Sequence, residues 1–511
     1  MKRKLALGHQ EFSEVITKNC IYVDKTEIIY KLITSAEYYF LSRPRRFGKS
    51  LLANTIKEIY LGNKELFKGL WIYDKWDWEK TYPVIKISFS EMGYKKLGLE
   101  KAIDKQLDVI AKSYNLTLHE TVNSLKFKEL IEKLSKKAQV AIIIDEYDKP
   151  IIDYMDNIPQ ANENREILKS FYSILKDADK HLRFILITGV SKFSQVSIFS
   201  DLNNLVDITI DEKYSQIVGW TKDEIENSFP DYIKDVTKKY NGVFPDIMEE
   251  MEKWYDGYSW DGITRVFNPV SVMNFFDKRV FANYWFSTGT PTMLMDIIKT
   301  RKLTAFDIDN SYSSSEILDR YDFEKINFNS LLFQTGYLTI KELDITNGEL
   351  VLGYPNREIA QSFSFNMLSE CTIGKLDETS NLLQKIKQSF NNNNIDEFIE
   401  YLNILFENIP YLIVDKSEKY FHSLFFLVIK ILGYNIEAEV LSIKNRIDAV
   451  VKSKNNIYII EFKINQSAKK AIEQIKEKKY ALKYTDDKRP ITLLGINFDT
   501  EKKTIDDYLL V

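Results

Sequence analysis

Two carboxylates and a lysine near the end of the chain have the types and spacing of a metal-dependent phosphodiesterase. Asp448 lies in the apolar run 446–451, and Glu461 and Lys463 lie two residues apart in the next apolar run. A strand alternates its side chains, so Glu461 and Lys463 share one face and Phe462 points to the core. A carboxylate buried among apolar residues is costly unless a cation pairs with it. The pattern therefore predicts that Asp448 and Glu461 bind Mg²⁺, with Lys463 beside the attacking water.

The elements predicted around these residues would bring them together. In chain order they are a helix at 418–432, strands at 435–441, 446–451 and 456–464, a helix from Ser467 to about 484, and a strand at 491–498. Ser467 is a good N-cap residue. In this α-β-β-β-α-β order, Glu418 on the first helix and Gln474 on the second are predicted to support the site. Glu461 alone would equally fit a solvated strand end, so the prediction depends on Asp448 and on the strand order.

A second site is predicted near the start of the chain. A buried strand at 38–41 leads into Ser-Arg-Pro-Arg-Arg-Phe-Gly-Lys-Ser at residues 42–50 and then into a helix. Backbone amides at a helix N-terminus bind phosphate, the lysine reaches the terminal phosphates and the serine hydroxyl ligates Mg²⁺. Arg43 stands where the usual pattern has glycine, and Gly-Lys-Ser alone would also fit a helix start with no ligand. The residues predicted to contact a nucleotide are Arg45, Arg46, Phe47, Gly48, Lys49 and Ser50.

Two acids that would complete this second site follow the continuous apolar run 139–144, which is typical of a central parallel strand. Asp145 is predicted to hold Mg²⁺ with Ser50, and Glu146 to act as base on the attacking water. Thr188, at the end of a further strand, is predicted to sense the γ-phosphate. A helix-capping acidic pair is the alternative, but it does not account for the phosphate loop. No Asn-Lys-x-Asp motif for guanine occurs, so ATP is the predicted nucleotide.

The motifs together resemble the AAA-ATPase-like family, in which a PD-(D/E)XK nuclease superfamily domain commonly follows on the same chain. The stretches that carry the resemblance are 22–26, 42–50, 144–150, 188–193, 199–205, 255–258, 267–269 and 333–338, with the C-terminal strands and helices for the nuclease part. The arginine-rich loop is itself a trait of the family. Asn445 departs from the nuclease pattern, where glycine is expected, and asparagine tolerates left-handed turns.

The pattern of strands and helices along the chain, together with the resemblance, predicts an α/β protein in three parts. These are a P-loop AAA-like ATPase domain with a doubly wound parallel sheet at 1–215, a mostly helical lid or middle region at 216–375, and a restriction-endonuclease-like domain at 376–511. The segment 255–258 is predicted to pack on the ATPase, and residues 307–316 are predicted to form a loop.

Composition limits the partners. The chain has 511 residues, of which 44% are apolar and 28% charged, and its net charge is −4. These values are typical of a soluble globular protein without a global polycation, so contact with DNA must come from a local patch. Lysines around the helix that begins at Ser467 form such a patch, or else a solvated helix face. No apolar run reaches membrane-spanning length, so we expect a cytoplasmic protein with no membrane partner.

Three functions fit these residues. The first is an ATP-hydrolysing, Mg²⁺-dependent nuclease that acts on DNA, with genome defence or mobile elements as its setting by analogy. The second is a regulatory ATPase switch whose nuclease-like domain binds nucleic acid or protein without cleaving it. The third is an interaction protein without chemistry, which the intact acids and lysines of both sites disfavour. The sequence leaves the oligomeric state open.

Overall fold

A computed structural model describes residues 2–192, 198–199, 202, 204–285, 311–314, 327–344, 346–371, 376–408, 418–441, 446–453 and 455–511. The chain divides into two compact units. The first contains Met1–Thr288 and Ser311–Asn356, and the second contains Gly289–Asn310 and Arg357–Val511. Most of the described middle region therefore belongs to the same compact unit as the N-terminal residues. The predicted division into three domains stays a prediction.

A parallel sheet forms the centre of the first unit. Its five strands, in the order β2-β3-β4-β1-β5, are β1 Tyr38–Ser42, β2 Val84–Ser88, β3 Val140–Asp145, β4 Leu182–Gly189 and β5 Val206–Asp207. Every neighbouring pair is parallel. All residues of β1 and β3 are buried, as expected for strands covered on both faces. The parallel α/β sheet predicted from the apolar runs is confirmed.

Helices make up much of the rest of the described first unit. They are α1 Phe12–Thr17, α2 Thr26–Ser35, α3 Lys49–Tyr60, α4 Tyr94–Leu97, α5 Leu99–Ser113, α6 Asn123–Leu134, α7 Lys149–Ile152, α8 Ile158–Tyr172, α9 Lys222–Ser228, α10 Pro230–Lys239, α11 Ile247–Tyr255, α12 Pro269–Lys278 and α13 Phe328–Thr335. Helices α9 to α12 pack on a second aromatic core that includes Phe229, Tyr255 and Phe275. Thr221 and Glu224 form a capping box that fixes the start of α9.

A small antiparallel sheet also belongs to the first unit. Its order is β6-β8-β7, with β6 Ser311–Ser314, β7 Thr339–Asp344 and β8 Glu349–Gly353. The prediction of a loop at 307–316 is wrong at β6. Residues 311–314 pair with β8, which supplies backbone hydrogen-bond partners that the serine-rich local sequence does not predict. The other residues of that predicted loop lie outside the described residues.

The second unit contains a mixed sheet with helices on both faces. Its strands, in the order β13-β12-β11-β10-β9, are β9 Asn435–Leu441, β10 Arg446–Lys452, β11 Ile457–Ile464, β12 Ile491–Asp499 and β13 Thr504–Leu510. Its helices are α14 Arg357–Cys371, α15 Leu376–Asn391, α16 Ile395–Glu407, α17 Glu418–Ile431 and α18 Ala468–Glu477. Only the β11–β12 pair among these strands is parallel. The α-β-β-β-α-β order is confirmed, and β13 extends it.

Helix α18 packs closely on the second sheet. Its N-cap is Ser467, as predicted, and the Ser467 hydroxyl accepts a hydrogen bond from the Lys470 amide. A Cβ on Gly495 of β12 would lie 2.4 Å from the Ala468 carbonyl oxygen, so glycine permits this approach. The helix is shorter than predicted, because the left-handed backbone of Lys479 ends it before a 3₁₀ turn at Tyr480–Tyr484. Among the described residues, no helix is long and apolar enough to cross a membrane.

Candidate active sites

The loop between β1 and α3 holds a buried lysine at the start of the helix. The Lys49 ammonium donates hydrogen bonds to the carbonyl oxygens of Arg43 at 2.8 Å and Pro44 at 2.9 Å. Gly48 caps α3 with a φ of 96°, and nothing lies within 4 Å of where its Cβ would be. Burial lowers the pKa of Lys49, and the carboxylates of Asp145 and Glu146 oppose that shift. The loop therefore presents a cation and a helix N-terminus at one point, as phosphate binding requires.

Arg43, which replaces the expected glycine, supports this loop from beneath. Its side chain is 1% exposed, and its guanidinium lies 4.1 Å from the ring centre of Trp260. The guanidinium also donates to the carbonyl oxygens of Ser42 and Thr209. Burial lowers the pKa of Arg43 to about 9. Arg43 is thus a structural part of the loop, whereas Arg45 and Arg46 are exposed.

The segment after α11 packs on the same loop. The ring of Phe47 lies 4.7 Å from that of Tyr258 and 5.5 Å from that of Trp260, between ring centres. The Trp285 indole donates to the Arg45 carbonyl oxygen at 3.0 Å. The contact predicted between residues 255–258 and the N-terminal domain is therefore present in the first unit, next to the phosphate loop. Edge-to-face packing of aromatic rings is stabilising, so these contacts help to hold the loop in place.

Asp145 is the last residue of β3, and it lies at the same cavity as Ser50. Both residues line a cavity of about 220 Å³, whose other lining residues are Gly8, Gln10, Glu11, Glu14, Asn54, Lys86, Ser88 and Glu91. The Thr188 hydroxyl, fully buried, donates to Asp145 Oδ1 at 2.6 Å. The structure thus brings Ser50 and Asp145 together and places Thr188 against Asp145. Sequence reasoning missed Lys86, Asn54 and Glu91, because no motif links them to Ser50.

Glu146 has an unusual backbone. Its φ is 55°, the left-handed region, which costs about 1–2 kcal/mol for a residue with a side chain. Burial raises the pKa of Glu146, and the charge of Lys49 opposes that shift. Strained backbone at a non-glycine residue persists only where its surroundings hold it, and it clusters at functional sites. A half-buried carboxyl with a raised pKa beside Lys49 suits the role of a general base.

Asp448 and Glu461 face each other in the second unit. The antiparallel register of β10 and β11 ends with the pair Ala449 and Ile460, and continuing it by one residue brings Asp448 opposite Glu461. The charge of Asp448 also acts on the Glu461 carboxyl, so the two groups are close. Directly opposed residues share a face of the sheet, with Cβ atoms about 4.5–5.5 Å apart. Asp448 Oδ2 also accepts a hydrogen bond from the Phe462 amide at 2.8 Å. The two carboxylates predicted to bind one ion therefore lie on one face of adjacent strands.

The Glu461 carboxylate is enclosed and only half satisfied. It is 1% exposed; its Oε1 accepts hydrogen bonds from the Gln474 amide and, at 3.3 Å, from the Lys463 ammonium. Its Oε2 is buried without a hydrogen-bond partner among the described residues. Burial and the charge of Asp448 raise the pKa of Glu461 to about 7, although Lys463 opposes the shift. Lys463 and Gln474 thus lie where the sequence predicted them.

The other face of β11 is an aromatic core. Phe462 is 1% exposed and packs against Phe425 and Phe498, with ring centres 5.2 Å and 5.7 Å away. The His422 ring lies 4.4 Å from that of Phe462, and burial lowers the pKa of His422 to about 4. His422 therefore packs against the Phe462 face of β11. Phe462 points into the core, as its position between Glu461 and Lys463 requires.

A divalent cation fits the carboxylate pair. The unpartnered Glu461 Oε2 and the repulsion between two opposed carboxyl groups are both relieved by a positive charge. Within the described ranges no group of three or more His, Cys, Asp or Glu side chains could hold a metal. Mg²⁺ needs only one or two carboxylates, since it keeps several waters. Helix α17 begins at Glu418, but the Glu418 side chain lies outside what the structure describes.

Comparison with known proteins finds two families in this chain. A family model described as "Predicted AAA-ATPase" matches residues 6–199, and one for the PD-(D/E)XK nuclease superfamily matches residues 416–508. The first range contains Lys49, Ser50, Asp145 and Glu146, and the second contains Asp448, Glu461 and Lys463. A protein of Azotobacter chroococcum mcd 1, described as "Uncharacterized protein in vnfD 5'region", is 33% identical over 520 residues, which cover 99% of this chain and 98% of that protein. The chain therefore belongs to the AAA-ATPase-like family and carries a C-terminal domain of the PD-(D/E)XK nuclease superfamily.

Proposed function

We propose that this protein is an ATP-hydrolysing, Mg²⁺-dependent nuclease that acts on DNA, and that its nucleotide state controls cleavage. The observation that carries the proposal is the opposed pair Asp448 and Glu461, with Lys463 bonded to Glu461, on a chain that also holds Ser50 and Asp145 in one cavity. Genome defence or mobile-element biology is the setting we infer by analogy. A cytoplasmic location stays a prediction.

In the proposed ATPase, the protein binds and orients the nucleotide and moves one proton. Lys49 leaves the loop carbonyl oxygens to contact the terminal phosphates, and Ser50 and Asp145 hold Mg²⁺, which supplies charge neutralisation when bound. Glu146 accepts a proton from water as the water oxygen bonds to the γ-phosphorus. The bond between that phosphorus and the β–γ bridging oxygen breaks, and ADP leaves with the bonding electrons.

In the proposed nuclease, Asp448 and Glu461 hold Mg²⁺, which when bound polarises the scissile phosphate and acidifies a water. Lys463, 16% exposed at its side chain, lies beside Glu461 and orients the attacking water. Gln474 fixes the Glu461 carboxylate from α18. Exposed lysines on and after α18 suit contacts to the DNA backbone: Lys469, Lys470, Lys476, Lys479, Lys483 and Lys488.

Removing the phosphate-loop lysine should weaken ATP binding. Lys49→Ala loses one charge-assisted contact, worth about 1.5–3 kcal/mol, so we expect the affinity for ATP to fall about 10- to 100-fold. Isothermal titration calorimetry measures the change. Lys57→Ala is the matched control, because Lys57 lies two turns further along α3 and pairs with Glu11 and Glu58. Equal affinity in wild type and Lys49→Ala would contradict the assignment.

The raised pKa of Glu461 predicts a pH-dependent affinity for Mg²⁺. Below about pH 7 the carboxyl is protonated in the metal-free protein, so the ion must displace a proton. Affinity should therefore fall about tenfold for each pH unit below 7 and level off above it. Calorimetry in two buffers of different ionisation enthalpy should show about one proton released per ion at pH 6 and almost none at pH 8.5. A pH-independent affinity would show that Glu461 is not the ligand that titrates.

Cleavage itself is tested with purified full-length protein. Supercoiled plasmid, single-stranded DNA and RNA are each incubated with and without ATP and Mg²⁺. We expect DNA products only where Mg²⁺ is present, in amounts that change with ATP. Cleavage of RNA alone would replace DNA as the substrate. Binding of nucleic acid without cleavage in every arm would instead support the regulatory ATPase switch.

A further inference from the structure

Asp148 is a buried carboxylate three residues after Asp145, and the proposed hydrolysis does not use it directly. Its side chain is 1% exposed. Its Oδ2 accepts hydrogen bonds from the Val190 amide at 3.0 Å, the Ser191 amide at 2.7 Å and the Ser191 hydroxyl at 2.8 Å. One carboxylate oxygen therefore ties the turn after β3 to the loop that follows β4.

Tyr147 makes the same connection a second time. Its amide donates to the Thr188 carbonyl oxygen at 3.0 Å, and its hydroxyl donates to the Ser191 carbonyl oxygen at 2.9 Å. A Cβ on Gly189 would lie 2.5 Å from a Tyr147 ring carbon and 3.0 Å from Asp148 Oδ1. Only glycine permits this close approach, so the turn and the loop pack as one body.

Glu146 lies between two of these ties. On one side the Thr188 hydroxyl holds Asp145, and on the other Asp148 holds the 190–191 backbone. Its left-handed φ of 55° is not favoured locally and must be imposed by such flanking bonds. We propose that Asp148 is a positioning residue for ATP hydrolysis: its bonds to Val190 and Ser191 hold Glu146 in the left-handed conformation, with its carboxylate beside Lys49. This inference rests on the proposed ATPase function.

The loop after β4 is also held from its other side. The Lys192 amide donates to Gln334 Oε1 at 2.9 Å, and the Gln334 side-chain amide donates to the Ser330 hydroxyl at 3.2 Å. Both Ser330 and Gln334 lie on α13. A Cβ on Gly336, just after this helix, would lie 2.7 Å from Pro44 of the phosphate loop. The α13 segment thus contacts the 189–192 loop through Gln334 and approaches the phosphate loop through Gly336.

Asp148→Asn tests the role of Asp148. Asparagine keeps one acceptor oxygen but removes the negative charge, which weakens the three charge-assisted hydrogen bonds that Oδ2 accepts from Val190 and Ser191. Because small misplacements of a reacting group cost up to about 100-fold, we expect kcat for ATP to fall 10- to 100-fold. KM for ATP should stay within about threefold, since Lys49 and the loop amides are untouched. Ser191→Ala, which removes one of the three bonds, should lower kcat about two- to fivefold.

The matched control is Asp24→Asn. The Asp24 carboxylate also accepts from two backbone amides and one hydroxyl, namely the Thr26 amide at 2.8 Å, the Trp71 amide at 2.8 Å and the Thr26 hydroxyl at 2.7 Å. It lies in the exposed turn before α2. We expect its kcat per binding site to equal that of wild type.

Turnover is measured per nucleotide-binding site, counted with a fluorescent, non-hydrolysable ATP analogue. A lower kcat per site supports the positioning role, whereas fewer sites with a wild-type kcat per site would show a structural role only and overturn it.

If Asp148→Asn does not fold, Ser191→Ala decides, and an unchanged kcat per site overturns the proposal. Wild-type protein that binds the analogue but never hydrolyses ATP would overturn the proposed ATPase itself. Turnover in wild type with an equal kcat in Asp148→Asn overturns only the role of Asp148.

Discussion

Glu146→Gln is expected to lower ATP turnover by about 10²–10⁴-fold while leaving ATP affinity within a few fold. A positioned general base contributes that range, and glutamine has the same shape but cannot take a proton. The carboxyl is half-buried, its pKa is raised by burial and it lies near Lys49, so its removal affects the reaction more than the fold. Glutamine keeps the Cβ and therefore the same backbone cost at φ 55°. Steady-state phosphate release, with calorimetry for binding, measures both quantities.

Glu91→Gln is the informative comparison for this experiment. Glu91 lines the cavity that Ser50 and Asp145 also line, so it is one alternative acid near the expected metal. We expect Glu91→Gln to keep turnover within about fivefold of wild type. Full turnover in Glu146→Gln together with a large loss in Glu91→Gln would transfer the role of base to Glu91.

Asp448→Asn should lower Mg²⁺-dependent DNA cleavage by about 10³-fold or more. The ion supplies several kcal/mol of transition-state stabilisation, and each 1.36 kcal/mol is a factor of ten in rate. Asparagine still accepts the hydrogen bond from the Phe462 amide, so the strand pairing should survive. Lys463→Ala should lower cleavage about 100-fold or more, since it removes the group that orients water but neither carboxylate. Initial rates of plasmid nicking measure both losses.

Two further variants test whether the loss of DNA cleavage comes from the site formed by Asp448, Glu461 and Lys463. Lys469→Ala removes an exposed lysine of α18, so it should mainly weaken DNA binding and make it less sensitive to salt. Asp487→Ala breaks the surface pair with Arg489 and should leave the cleavage rate unchanged. ATP binding should be unaffected in all four variants, since the two sites are in separate compact units. Cleavage that survives both Asp448→Asn and Lys463→Ala would point to a contaminant or to another active site.

Local pattern was enough to predict the elements that carry both sites. The fully apolar runs of β1 and β3 predict buried parallel strands, because only such strands need no polar face. The Gly-Lys-Ser turn predicts a phosphate loop, and Ser467 predicts the start of α18, since capping depends on a few neighbouring residues. Strand alternation alone puts Glu461 and Lys463 on one face of the strand and Phe462 on the other. An error in the predicted register could exchange the two faces, but Phe462 would still lie opposite its two neighbours.

Tertiary structure decided the chemistry between these elements. Asp448 and Glu461 lie opposite each other because of the β10–β11 register. The pKa of Glu461 is raised because its carboxyl is buried beneath α18 and lies near Asp448. Arg43 resembles a surface cation in the sequence, yet it is buried against Trp260, more than two hundred residues away. The hydrogen bonds of Asp148 to the loop after β4 likewise join residues that no local pattern relates. Sequence periodicity reports which face a side chain takes, whereas burial, charge pairing and backbone strain arise only when distant segments meet.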